Sequence, residues 1–247
     1  VRLARWRGSV AVLATGACTL HLLWYGAAFT RVYRVTDARV QAAQWMAEEI
    51  PPGSSIAVER GGFSLRKLID HDRYEIVGLD ALSFFDLQGY LTCGAVIDRL
   101  RPRLLRSDYI AIIDVNRLRQ FGAVPDRYPG AAGFYRRLIS GRLGFVEVQR
   151  FKTYPRFLGV EFLDDDAEPS FLGYDHPAVL VFAGRGQAAV ADALRSWEED
   201  LAADRHCADA LMVPLVDGVT GGDGTQVLQQ VTDLQERFPR LRILDLI

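Results

Sequence analysis

Residues 108–113 read Asp108-Tyr109-Ile110-Ala111-Ile112-Ile113, a run that is apolar at every position after the first. A strand with one wet face alternates apolar and polar side chains, so a run apolar on both faces belongs inside a sheet with layers packed above and below it. On that reading the body is an α/β layer structure, and its neighbours in sequence agree. Thr92 to Leu105 places Val96, Leu100 and Leu104 on one helical face, is expected to break late at Pro102, and leads into the strand. Beyond the strand, Asp114 and Asn116 suit the cap of a short helix. Gly133 to Ser140 then reads as a helix. Gly144 to Lys152 reads as a strand whose alternation of Phe145, Val146, Val148 and Phe151 is imperfect, and Ala178 to Phe182 as a closing strand.

Upstream, Thr36 or Asp37 is a natural N-cap for a helix with Val40, Ala43, Met46 or Ala47, and Ile50 at helical spacing, stopped by Pro51-Pro52-Gly53. Ser55 to Glu59 is a short strand, Gly61-Gly62 a loop, Phe63 to Ile69 a short helix and Tyr74 to Gly78 a second strand. Alternation of this kind predicts a sheet with helices packed on it, Rossmann-like in outline. Past Gly184-Arg185-Gly186, Ala188 to Leu201 carries Val190, Leu194, Trp197 and Leu201 on one stripe, and Leu211 to Val216, Thr225 to Phe238 and Leu241 to Ile247 follow as strand, helix and strand.

The N-terminal end differs in kind. Ser9 to Phe29, SVAVLATGACTLHLLWYGAAF, has no formally charged residue and at about 1.5 Å per residue spans roughly 31 Å, the hydrocarbon thickness of a bilayer. Arg2, Arg5 and Arg7 precede it, Arg31 and Arg34 follow it, and Trp24 and Tyr25 sit where amphipathic rings favour the membrane boundary. Basic residues on both sides leave its orientation undecided by charge. Thr19 and His21 inside the span either face other membrane helices or are tolerated in lipid. A cleaved signal peptide is a competing reading, although the apolar run is longer than the usual one and Gly26-Ala27-Ala28 before Phe29 is a poor cleavage site. The chain begins with Val1, as an alternative start or as a piece of something longer. The expected organisation is a transmembrane helix with its flanks over 1–35, an α/β domain over 36–186 and a C-terminal α/β extension over 187–247.

A net charge of −2 over 247 residues, with 49% hydrophobic and 24% charged residues, fits a packed domain and offers no basic surface for nucleic acid. Cys18 lies in the apolar helix, which leaves Cys93 and Cys207 to pair or stay free.

In order and spacing, several short pieces resemble the polytopic membrane glycosyltransferases related to the protein O-mannosyltransferases and the lipid A aminoarabinose transferase. They are Asp37-Ala38-Arg39 after a membrane helix, Ala43 and Trp45 in the next helix, Pro52-Gly53 leading to Ile56-Ala57, and Glu59 at that strand's end. Asp108-Tyr109, Tyr128-Pro129, Phe134-Tyr135 and Leu143-Gly144-Phe145 continue the resemblance. Glu168, Ser170-Phe171 and Tyr174-Asp175-His176-Pro177 before Val179 to Phe182 end it. It covers roughly residues 9–183, and no single piece is specific. The resemblance implies the last membrane helix and extracytoplasmic accessory domain of an enzyme that moves a sugar from a polyprenyl-phosphate carrier, in the cell membrane beside other transmembrane helices. It also implies that the catalytic loop, which lies near the first membrane helix in that family, is not in this sequence, so no catalytic residue carries over. The alternatives are a single-pass α/β module that binds a ligand or protein, and a secreted domain.

Four residues are carried forward as ligand-binding candidates: Glu59, Tyr174, Asp175 and His176. The bland account of the tetrad 174–177 is a turn into a strand. Asp164-Asp165-Asp166 with Glu168 lacks the spacing and glycine of a calcium loop and reads as a solvated acidic loop. Asp70-His71-Asp72 and His206-Cys207 have no second half-site for zinc. Thr220 to Thr225, TGGDGT, satisfies neither the Walker nor the dinucleotide pattern and reads as a loop with Thr225 as helix cap. No metal or cofactor is expected.

Overall fold

The computed structural model describes residues 2–59, 65–79, 93–113, 121–123, 125 and 129–203. Helix α1 (Arg2–Phe29) leads into α2 (Ala38–Glu49), followed by β1 (Ser55–Val58), a 3-10 turn at Leu65–Lys67 and β2 (Glu75–Gly78). Next come α3 (Cys93–Arg106), β3 (Tyr109–Ile112), α4 (Pro129–Ile139), β4 (Phe145–Phe151), β5 (Arg156–Phe157) and β6 (Val160–Glu161). Helix α5 (Pro169–Asp175), β7 (Val179–Gly184) and α6 (Gln187–Ala203) complete the described part.

Five strands form one mixed sheet in the order β2-β1-β3-β7-β4, so β3 is central as its two apolar faces require. β1 pairs in parallel with β2 and with β3, whereas β7 runs antiparallel to both β3 and β4. Side chains alternate across β1, β3 and β7. Ala57, Ile110, Ile112, Leu180 and Phe182 face a core shared with α3, α4 and α6, while Ile56, Val58, Ala111, Val179 and Val181 face a core closed by α2.

The helices follow from their sequences with three revisions. Asp37 caps α2 as read, accepting the Arg39 N–H at 2.7 Å, but the buried stripe is Ala38, Ala42, Met46 and Ile50; Val40 and Ala43 are only half-buried. Two alanines on the inner face let the helix backbone approach the sheet closely, and that contact fixes the phase. Pro102 does not break α3, which continues to Arg106. Pro102 and Asp98, whose carbonyl loses its helical donor, are both exposed, so water can serve that carbonyl. The expected helix over 63–69 is a single 3-10 turn that buries Leu65, with Ile69 buried just beyond it. By contrast, the α6 stripe Val190, Leu194, Trp197 and Leu201 is buried as read, within the same core as α3 and α4.

The imperfect alternation of β4 has a cause. Its pairing with β7 shifts register between Glu147 and Gln149, a bulge that leaves Val148 exposed and restores the alternation beyond it. The caps at Asp114 and Asn116, the Gly61-Gly62 loop, the elements expected over 211–247 and the loop 220–225 lie outside the described residues.

The first helix is apolar over Val10–Phe29, exposed from Val10 to Trp24, and long enough to cross a bilayer. Only its last turn enters the body, where Ala28 is fully buried, with Val32 buried just after it.

Gly144 is where β4 and α6 approach most closely. Its φ is +82°, and a Cβ there would stand 2.8 Å from Val190 Cα and 2.9 Å from Val190 N. Gly53 has the same kind of backbone, φ +83°, but open space around it. Gly144→Ala should therefore lower unfolding free energy by roughly 3 kcal/mol, from positive-φ strain plus overpacking, and Gly53→Ala by only about 1 kcal/mol from strain. Thermal or denaturant unfolding of the two variants in detergent checks this, and equal effects would contradict the close packing.

Candidate functional site

The strand directions gather several ends at one edge of the sheet. The C-terminal ends of β1, β2, β3 and β4 and the start of β7 all lie there, as the registers Val58↔Ala111, Ile112↔Leu180 and Phe151↔Val179 require. Open α/β sheets bind ligands beyond the C-terminal ends of their parallel strands. The excursion over 152–178, which contains the β5–β6 hairpin and α5, leaves and re-enters the sheet at this edge. It also holds the end of α1.

That junction is aromatic. Phe29 stacks on Phe171 at 5.1 Å between ring centroids and meets His176 edge-on at 5.4 Å, and Phe171 meets the same imidazole at 5.4 Å. Tyr33, just past α1, donates its hydroxyl to Asp175 Oδ1 at 2.7 Å. The acceptor raises the Tyr33 phenol above its ordinary value, chiefly through that hydrogen bond.

Behind the aromatic box lies a set of charges. His176, whose side chain is fully buried, places Nε2 2.7 Å from Asp164 Oδ2. Since a carboxylate only accepts, the proton of this pair sits on Nε2. Asp164 is itself 8% exposed and has Lys152 Nζ at 3.6 Å from its other oxygen. Lys152 also bonds Asp165 and lies 4.4 Å from the centre of the Tyr154 ring. Tyr154 donates to Asp165 Oδ2 at 2.9 Å. Burial first, then that bond and the carboxylate charge, push the Tyr154 phenol up to about 12.

The acidic run 164–166 is therefore not one solvated loop. Asp164 is drawn inward by His176 and Lys152, Asp165 is half-exposed on Lys152 and Tyr154, and Asp166 faces solvent. Sequence reasoning missed Asp164, Lys152 and Tyr154 because their partners are twelve or so residues away across a hairpin. The one local hint is a lysine directly after the half-buried strand β4. The tetrad 174–177 is likewise more than a turn: Tyr174 and Asp175 end α5 and His176 caps it, its N–H bonded to Leu172 O. The side chain of Tyr174 lies outside the described residues.

Glu59 stands apart from this cluster. It follows β1 at the same edge but turns into the opposite core, 2% exposed, and accepts the hydroxyl of Tyr135 from α4. Tyr135 is stacked on Phe121 at 5.9 Å. The structure thus brings Asp175 and His176 together at α1 and places Glu59 on the other face.

At the far edge a cavity of about 400 Å³ opens beside Ser54, Arg106, Asp108 and Gln187. Asp108 Oδ2 there accepts the Ser55 N–H at 2.8 Å and lies 2.9 Å from Ser55 Oγ, so this carboxylate ties β1 to β3. Among the described residues no group of three His, Cys, Asp or Glu side chains converges as metal ligands would. Asp70 and His71 serve their own turn: Asp70 Oδ1 accepts the Asp72 N–H at 2.9 Å, and His71 Nε2 lies 2.6 Å from Arg66 O. Cys18 is free and exposed on α1, while Cys207 and His206 lie outside the described residues.

Chemically, the cluster at α1 is a closed Asp-His-Lys network. His176 Nδ1, the atom a general base would use, is buried and has no hydrogen-bonding partner among the described residues. Its present place is between two phenyl rings, so the histidine pins the excursion to the helix. No family model, curated protein or solved structure matches this chain.

Two outcomes are expected of this network. Asp164→Ala leaves the buried His176 Nε2 proton without its acceptor, and should reduce stability by about 1–3 kcal/mol and speed amide exchange over 156–175 while sparing α6. Unchanged exchange there would contradict the pinning role. In a spectrophotometric titration, the difference between the parent and Tyr154→Phe should show one phenol ionising near pH 12. A folded value raised above the ordinary 10.0 contributes stability below pH 10 that is lost as pH rises through the folded value. A difference centred at the ordinary value would refute the Tyr154–Asp165 contact.

Proposed function

We propose that this chain is a membrane-anchored, extracytoplasmic α/β accessory domain of a polyprenyl-phosphate-sugar-dependent glycosyltransferase. In this role it works at the membrane surface without supplying the catalytic residues. The observation that carries the reading is the orientation of the sheet: the strand edge that serves ligands in open α/β folds is the edge pinned to the end of the apolar helix. A domain built this way presents that edge to a polar headgroup held in the bilayer, where a lipid-linked sugar is found. The resemblance over residues 9–183 supplies the sugar-transfer part of the proposal. Asp37 caps α2 and accepts both Arg39 Nε at 2.8 Å and Nη2 at 2.6 Å. Those bonds from Arg39 hold the Asp37 carboxyl below the ordinary range.

The parallel trio β2-β1-β3, with α3 crossing between β2 and β3, is the part on which the Rossmann-like description rests. A second reading, a single-pass ligand- or protein-binding module, draws support from the same body. Both faces of its sheet are covered by helices of this chain.

Two measurements test the proposal. In intact cells expressing the full chain, a cysteine at exposed Arg185 should react with a membrane-impermeant maleimide; reaction only after permeabilisation overturns the extracytoplasmic placement. In nanodiscs, the full chain should bind a polyprenyl-phosphate-linked sugar saturably and transfer none of it to a peptide or lipid acceptor. Turnover by the chain alone refutes the accessory role, and no binding leaves the module reading in its place.

A further inference from the structure

Beside α1, the β5–β6 hairpin is built in a way that the core does not require. Arg156 pairs with Glu161 and Phe157 with Val160, and the two residues between them, Leu158 and Gly159, have φ of +49° and +85°. Positive φ at both central positions is the pattern of a two-residue type I′ turn, for which Asn-Gly is the favoured sequence. Leucine is a poor fit at such a backbone position, and Leu158 is the only described non-glycine residue with positive φ. Its side chain gains nothing from the protein in exchange, being 77% exposed.

Leu158 is not alone. Phe157, Val160 and Leu163 are 37%, 48% and 74% exposed, which makes a contiguous apolar tip on an otherwise polar-surfaced body. Elsewhere among the described residues of the body, large apolar side chains surface singly, as Leu68, Ile139 and Val148 do. The tip is also beside the apolar span. Phe157 meets Trp24 edge-on at 6.1 Å and Phe162 meets Tyr25 at 5.4 Å. Trp24 precedes the end of α1 by five residues, which is about 7.5 Å along the helix axis. The hairpin therefore reaches down along the span from its outer end. Arg31 and Arg34 are exposed just after α1, where basic side chains meet lipid headgroups.

We propose that residues 157–163 are a second membrane contact, a hairpin tip inserted into the headgroup and acyl boundary beside α1. The occupant of this apolar surface is lipid, because the patch is continuous with the exposed apolar face of the helix it touches. One helix alone leaves a body free to swivel about its tether. A helix and an adjacent inserted hairpin fix its tilt, and so hold the strand edge toward the bilayer. The inference rests on α1 spanning a membrane, and its test separates the two.

The test uses the full chain in phosphatidylcholine–phosphatidylglycerol vesicles, with Cys93 and Cys207 replaced by alanine. An NBD fluorophore is placed in turn on native Cys18 and, with Cys18 also replaced, on Leu158→Cys, Leu163→Cys or Arg185→Cys. Acyl-chain nitroxide lipids and aqueous iodide are the quenchers. Labels at 158 and 163 should be quenched by nitroxide lipid at least threefold more than the label at 185, and by iodide correspondingly less. Two separate label sites guard against a local effect of either substitution. If Cys18 is in lipid and both hairpin labels are in water, the hairpin proposal is overturned and the spanning helix stands. Hairpin labels shielded from both quenchers would mean that protein, a second copy or another helix, covers the tip, which also overturns it. If Cys18 itself is in water, both readings fall together.

Discussion

Phe29 is where the two parts of this protein become one. Its ring stacks on Phe171, meets the edge of His176, and so reaches the buried imidazole that Asp164 holds by its Nε2 proton. Tyr33 repeats the connection one turn later through Asp175. Without these contacts the apolar helix would be a tether of no fixed direction. With them, the direction of the sheet relative to α1 follows, because the segment that grips the helix is the connection between β4 and β7 and must start and finish at one sheet edge.

Charge explains why the grip is specific more than why it is strong. Asp164 and Asp165 face Lys152 and the His176 ring, and two of these side chains, Lys152 and Asp164, are 9% and 8% exposed. Burying such groups costs much of what their attraction returns, so the network is weak evidence for stability, whereas removing one member strands the others. A cluster of this kind tolerates one geometry and penalises alternatives. The surrounding rings supply the non-directional part of the energy, and the charges choose the arrangement.

The two cores show how much of the fold was legible in residue order. The α6 stripe and the doubly apolar β3 were readable because burial on one face or two leaves a direct period in the sequence. The phase of α2 was not, since two alanines carry little hydrophobic signal yet decide how near the helix can lie. Pro102 inside α3 and the bulge at Val148 were misread or unexplained for a related reason: solvent on one side forgives what a local rule forbids. In the candidate site, Asp175 and His176 were carried forward as ligand-binding candidates with a turn as the bland account, and their partners Tyr33 and Asp164 were not legible because both lie far off along the chain or across a hairpin. Glu59 was grouped with them although it faces the other core.

While the β5–β6 hairpin and α5 went unread, what the sequence determined by itself was the larger elements: an apolar helix of bilayer length, a central strand apolar on both sides and helices with one buried stripe. These follow from local periodicity and from the hydrophobic effect, which needs no knowledge of the partner. The tertiary structure decided the pairings, namely that β7 runs against its neighbours, that Asp164 goes inward to His176 and Lys152, and that the C-terminal ends of β1 to β4 lie on the side of the sheet that meets α1. Register and charge pairing depend on residues far apart in the chain, whose attraction exists only once the backbone has brought them within a few ångströms.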